Sequence, residues 1–270
     1  MKELHRVSVR KIDFHNHIWL PGDPDGDGLV AAMDKMGIER VLVHACPKDI
    51  WSYTGDNDDI VRAIKRHPGR IMGTMHLDFR HGARKCVSRI RRYADAGLIG
   101  AKMFPSLGFR PDDPAHYPIY AEMAKHRLFA AYHLGYLAGS DVRPVPMSGK
   151  YADAFSLEEI AILFPTMKFV ICHMGGNPGY QQTLCVLRYY PNIWADTAPG
   201  HGIEAFQFMG KLVSIVTWDK ILFGSDSGPE NWRDQLRFWS ANAAELGYSD
   251  KLPAMLYGNA KRFLEELGRR

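Results

Sequence analysis

The sequence contains no run of about 20 apolar residues, so no segment reads as a membrane-spanning helix. It has no basic run interleaved with aromatic residues. Its formal net charge of +4 comes from acidic and basic residues spread along the chain, which argues against nucleic acid as a partner. Cysteine is scarce: Cys46, Cys86, Cys172 and Cys185 stand at unrelated spacings without a CxxC pair, and they read as reduced intracellular thiols. The first residues, "MKELHRVSVRK", are charged and lack the apolar core of a secretion signal, so a cytoplasmic location is expected. No linker-like or low-complexity stretch interrupts the chain, and one domain over residues 1–270 is expected. A glycine-rich dinucleotide fingerprint is missing after the first strand-like run, which weakens an open doubly wound sheet.

What is present is a regular alternation. Eight short apolar, β-branched or aromatic runs read as strands: 11–19, 40–46, 71–78, 99–105, 128–135, 168–175, 193–198 and 220–227. Most begin about 25 to 30 residues after the one before, room for a strand, a helix and two loops. The segments between carry helical periodicity. "GLVAAMDKMGI" ends near Gly37, and "DDIVRAIKRHPGR" has Asp58 and Asp59 at its start and Pro68 and Gly69 at its stop. "SLEEIAILFPT" offers Ser156 and Glu159 as a capping box. Strands alternating with helices predict a parallel sheet, and eight such units predict a closed (β/α)8 barrel. The connection 136–154 is longer than the others and is expected to be a lid or specificity loop.

In such barrels chemistry gathers at the C-terminal ends of the strands. In "IDFHNHIW", His15 and His17 stand two apart and share a face if the run is a strand. Strand four ends with Lys102, strand five with His133, strand six with His173 and strand eight with Asp226. Taken singly, each has a structural explanation: a hydrogen-bonded histidine, a solvated lysine, a helix-capping "GSD". Taken together, six such residues at one barrel end point to a site; imidazole nitrogens and a carboxylate are what zinc and similar ions prefer, and His15 and His17 suit one ion with Asp226 completing an open site.

In this ordered set the chain resembles the amidohydrolase superfamily, metal-dependent (β/α)8 hydrolases. "GAKMFPSLGFRPDD", "AAYHLG", "CHMGG", "ILFGSDS" and "YGNAKRFL" resemble the branch that also contains the amino-carboxymuconate-semialdehyde decarboxylase. The resemblance implies one or two divalent ions, zinc foremost. In a two-ion site His15, His17 and Asp226 hold the first ion and His133 and His173 the second, with a carboxylated Lys102 bridging. In a one-ion site His133 completes the first set, His173 orients water or substrate, and Lys102 remains an amine. The expected reaction is hydrolysis of an amide, ester or lactone in a small molecule, with Asp226 and His173 as catalytic residues. The alternative is decarboxylation of an aromatic or unsaturated acid. The branch's decarboxylases tend to be longer chains, which tilts the expectation to hydrolysis. A non-catalytic barrel is set aside because no ligand of the set is lost.

Trp19, Arg143 and His201 are the candidate substrate contacts, and a homo-oligomer is compatible with the sequence. Asp196 on strand seven is placed to support a ligand through a hydrogen bond. His44 and His76, at the ends of strands two and three, are given structural roles. Cys172, next to His173, is expected by alternation to point away from the site. "DPDGDGLVAAMD" (23–34) mimics a calcium loop, but a strand precedes it and its twelfth residue, Asp34, is not glutamate, so calcium is set aside.

Overall fold

The structure, a computed structural model, describes residues 9–137, 139–176, 179–198 and 216–269. Eight parallel strands lie side by side in chain order. They are β1 (Lys11–Asn16), β2 (Ile38–His44), β3 (Ile71–His76), β4 (Gly100–Met103), β5 (Phe129–His133), β6 (Phe169–Cys172), β7 (Ile193–Asp196) and β8 (Ile221–Leu222). The last segment returns to the first through the backbone. Phe14 N–H donates to Phe223 O at 2.7 Å, and Asp226 N–H to His15 O at 2.7 Å. The fold is a TIM barrel, nearly closed, as the alternation of strand and helix runs predicts. A Cβ on Gly224 would lie 2.6 Å from His15 Cβ, so only glycine lets the chain after β8 come this close to β1.

The helices among the described residues are α1 (Asp27–Met36), α2 (Asn57–Arg66), α3 (Ala83–Asp95), α4 (Tyr117–Lys125), α5 (Glu158–Leu163), α6 (Tyr180–Tyr189), α7 (Trp232–Leu246) and α8 (Asn259–Glu266). Helix α1 buries Leu29, Met33 and Met36, one stripe at helical spacing, and stops at Gly37 in the left-handed region. Helix α2 starts at a capping box of Asp56 and Asp59. The box expected at Ser156 does not form. The Asp153 carboxylate accepts the Ser156 N–H at 3.1 Å, and a 3-10 turn over Ala154–Leu157 precedes α5.

The carboxylates of the acidic stretch 23–34 have partners within the protein. Asp23 accepts the N–H groups of Gly28 and Leu29 at the head of α1, while Asp25, Asp27 and Asp34 pair with Arg62, Arg66 and Arg70.

Two cores result. One lies between the strands and the helices. The other fills the barrel, with Ile12, Leu42, Val170 and Leu222 among its members. Phe263 of α8 meets Phe14, Phe129 and Trp194 at 5.0, 5.2 and 5.2 Å between ring centroids. Those three belong to strands on different sides of the barrel, so Phe263 plugs its axis. The plug sits toward the strand starts, which leaves the strand ends for the polar groups. No helix among the described residues is long and apolar enough to cross a membrane.

Candidate metal centre

The pairing of β1 with β2 shifts register between Asp13 and Asn16. This irregularity turns two neighbours inward at different depths: Phe14 onto the plug, His15 into the polar end. His15 and His17 are both buried, with ring centroids 5.7 Å apart.

Hydrogen bonds determine where each imidazole lone pair points. His15 Nδ1 lies 2.8 Å from Asp196 Oδ2; a carboxylate accepts, so Nδ1 carries the proton and Nε2 the lone pair. The other Asp196 oxygen accepts the N–H groups of His173 and Ala198 at 2.8 and 3.1 Å. His17 Nδ1–H donates to the His44 carbonyl at 2.8 Å, which leaves its Nε2 lone pair 3.0 Å from Asp226 Oδ1. His133 Nε2–H donates to Tyr136 O at 3.1 Å, and His133 Nδ1 accepts from His173 Nε2–H at 3.1 Å. His173 Nδ1 then carries a lone pair 3.8 Å from Asp226 Oδ2, and His15 Nε2 lies 3.9 Å from Asp226 Oδ1.

Three lone pairs therefore face one carboxylate. That arrangement is repulsive unless a cation or a proton lies between them, and it suits a divalent metal. His15, His173 and Asp226 have ligand atoms all within 4.8 Å of one another. His133 stands one bond behind, holding His173. In this geometry His173 lies nearer Asp226 than His133 does.

Electrostatics agree with a ligand role. Burial drives the His15 and His173 imidazoles well below their ordinary range, so both are neutral, the form that binds metal. Burial also pulls His17 down, but Cys46 and Asp226 outweigh it and raise its pKa to about 10. Without an ion a proton sits on His17 beside Asp226; a divalent cation would take its place.

The backbone is strained at the same place. His173, Met174 and Asp226 have φ of 56°, 52° and 41°, in the left-handed region that non-glycine residues avoid. Such strain persists where surrounding structure over-determines it, commonly at functional sites. It also explains a correction. β6 ends at Cys172 and His173 begins a left-handed turn, so strand alternation no longer relates the two. Cys172 points into the barrel, where its Sγ accepts from Lys102 Nζ at 2.8 Å. The Lys102 side chain is buried, with Nζ also 3.3 Å from His15 Nε2.

Above these groups lies a cavity of about 280 Å³. Its floor is His15, His17, Lys102, His133, His173 and Asp226, and its walls are Trp19, Cys46, Trp51, Tyr53, Thr54 and Phe104. Trp19 is anchored by its indole N–H to Asn16 Oδ1 at 3.0 Å. Arg143 does not line this cavity; it pairs with Asp49 at 2.7 Å and borders neighbouring depressions. His201 lies outside the described residues. Sequence reasoning missed Trp51, Tyr53 and Phe104. For Phe104 a signal existed: it stands two residues past Lys102 and so shares its face.

The model of the amidohydrolase family matches residues 12–265. The chain belongs to the amidohydrolase family. No curated protein matches it. Among solved structures it resembles an uncharacterised TIM-barrel protein from Bordetella bronchiseptica at 19% identity and TM-score 0.72, over 97% of this chain and 100% of that one. It resembles a 2,6-dihydroxybenzoate decarboxylase from Rhizobium at 16% identity and TM-score 0.66, over 95% of this chain and 98% of that one. It also resembles a 5-carboxyvanillate decarboxylase from Novosphingobium aromaticivorans, solved with manganese, at 14% identity and TM-score 0.67, over 98% of this chain and 99% of that one.

These neighbours correct the expectation of a hydrolase. The activities they state are decarboxylations.

Proposed function

We propose that the protein is a metal-dependent decarboxylase of an aromatic carboxylic acid. The observation that carries this reading is the cavity, in which four aromatic side chains enclose the space directly above the histidine and aspartate cluster. The decarboxylase structures of the same fold support the reading.

In this proposal one divalent ion, zinc or manganese, is held by His15, His17, His173 and Asp226. Such an ion supplies positive charge that orients an anionic oxygen of the substrate and stabilises charge that develops during reaction. Asp196 and the His44 carbonyl keep the His15 and His17 lone pairs aimed inward, and His133 does the same for His173. Lys102 offers N–H donors from the cavity floor to an oxygen of the acid. The aromatic walls hold the ring and limit the water around it. Asp226, partly exposed at the cavity, carries a proton to the ring carbon that bears the carboxylate. That carbon gains the proton, its bond to the carboxylate breaks, the electron pair of that bond restores the ring, and carbon dioxide leaves.

The test is to load the protein with zinc or manganese and offer a panel of hydroxybenzoates and methoxybenzoates. Carbon dioxide release, matched by loss of the acid's absorbance, is expected for at least one. A fully metal-loaded protein that releases carbon dioxide from none of them overturns the proposal.

A further inference from the structure

Two loops meet at the cavity wall. One follows β2 and carries Trp51, Ser52 and Tyr53; the other follows β5 and carries Gly139, Ser140 and Asp141. The Trp51 indole N–H donates to Gly139 O at 3.2 Å, and the Ser140 hydroxyl donates to Ile50 O at 2.6 Å. At the centre of the seam stands one carboxylate. Asp141 accepts the Ser52 backbone N–H at 3.0 Å on one oxygen and the Ser52 hydroxyl on the other.

Ser52 separates two residues that both line the cavity. Tyr53 lies parallel to Trp19, with an interplanar angle of 4° and centroids 6.3 Å apart, so a flat ring lying along one face also lies along the other. Trp51 leans on Phe104 at 5.2 Å. Trp51, Phe104, Leu137 and their neighbours form a small apolar cluster of their own, separate from the two barrel cores. The inner side of the β2 loop is tied to the barrel mouth: Gly55 N–H donates to Ile18 O at 2.9 Å, and Leu20 N–H to Tyr53 O at 2.8 Å. The outer side at Ser52 is held by Asp141. At about 280 Å³ the cavity falls just below the roughly 300–1,000 Å³ of ordinary ligand pockets, which suits a small acid.

We propose that Asp141 is a positioning residue for ring selection: through Ser52 it holds Trp51 and Tyr53 as cavity walls, and so sets a preference for a flat, aromatic acid. Charge-assisted hydrogen bonds from both donors of one residue fix the backbone between the two aromatic side chains. The inference rests on the aromatic-acid reading of the same cavity, and its test separates the two.

Binding to the metal-loaded full chain is followed by tryptophan fluorescence, with salicylate and cyclohexanecarboxylate as probes. Salicylate is expected to bind about tenfold tighter than cyclohexanecarboxylate, the scale of one or two aromatic contacts. Asp141→Ala and Ser52→Ala should each erase most of that ratio, and the double variant should lose no more than either single one. Tyr53→Phe should keep the ratio and Tyr53→Leu should lose it. A wild-type ratio in Asp141→Ala, or additive losses in the double variant, overturns the proposal. Ring preference that depends on Asp141, without carbon dioxide release from any acid, sinks the decarboxylase reading and leaves this one standing. Carbon dioxide release with a ratio indifferent to Asp141 does the reverse.

Discussion

Asp196 Oδ2 lies 2.8 Å from His15 Nδ1, with both side chains out of contact with solvent. The second oxygen of the same carboxylate takes the backbone N–H of His173. One buried aspartate on β7 thus orients groups from β1 and from the turn after β6. It does not line the cavity.

Asp196→Asn should therefore damage the metal centre without touching a ligand atom. An amide N–H can donate to His15 Nδ1 and so move the ring proton to Nε2, where the lone pair is needed. Metal affinity is expected to fall about 10- to 100-fold, the usual cost of losing such a partner. Chelator competition measures it. Unchanged affinity would show that His15 does not depend on Asp196 for its tautomer.

Asp226→Asn should stop turnover and leave the fold in place. The amide is nearly isosteric but carries no acidic proton to deliver. A loss of about 10²-fold or more in kcat is expected, the scale of a general acid. Retained turnover on an identified acid would remove Asp226 from the proton path.

Lys102→Met separates one-ion from two-ion chemistry. With the amine bonded to Cys172 Sγ and close to His15 Nε2, the proposed site holds one ion and Lys102 faces the substrate. The variant should keep one ion per chain, raise KM, and show no response to bicarbonate. Two ions per wild-type chain, reassembled with the help of bicarbonate and reduced in the variant, would instead identify Lys102 as a carboxylated bridge.

The strand runs were legible because each is apolar, short and bounded by turn residues. The ends of those runs already held His15, His17, Lys102, His133, His173 and Asp226. What strand periodicity could not foresee lies where strands stop. The left-handed turn at His173 breaks the alternation that would have pointed Cys172 outward. The orientation of the His133 ring depends on Tyr136 O, a loop carbonyl with no sequence signature. Arg143 and the acidic residues 25–34 looked available for ligands, but each is matched by a partner far along the chain. The walls Trp51 and Tyr53 come from a loop whose path is set by contacts with another loop. Long-range pairing of this kind leaves no local pattern to read.

The last prediction concerns stability and lies away from the site. Lys220 is buried, and its Nζ donates to the carbonyls of Leu187 and Tyr190, satisfying the C-terminal end of α6. Burial lowers its pKa from 10.5 to about 8. Between those values the unfolded chain binds more protons at this position than the folded one. Stability from this group is therefore fully present above pH 10.5 and is lost as pH falls through about 8. Lys220→Met removes the titration, and it leaves two carbonyls without their donor at a cost of about 1–3 kcal/mol each. The stability advantage of wild type over the variant should then widen as pH rises from about 8 toward 10.5 and stay constant below that window. Thermal melts of both proteins across the range measure it. An advantage that is flat, or that narrows with rising pH, would mean that Lys220 folds without the penalty its burial implies.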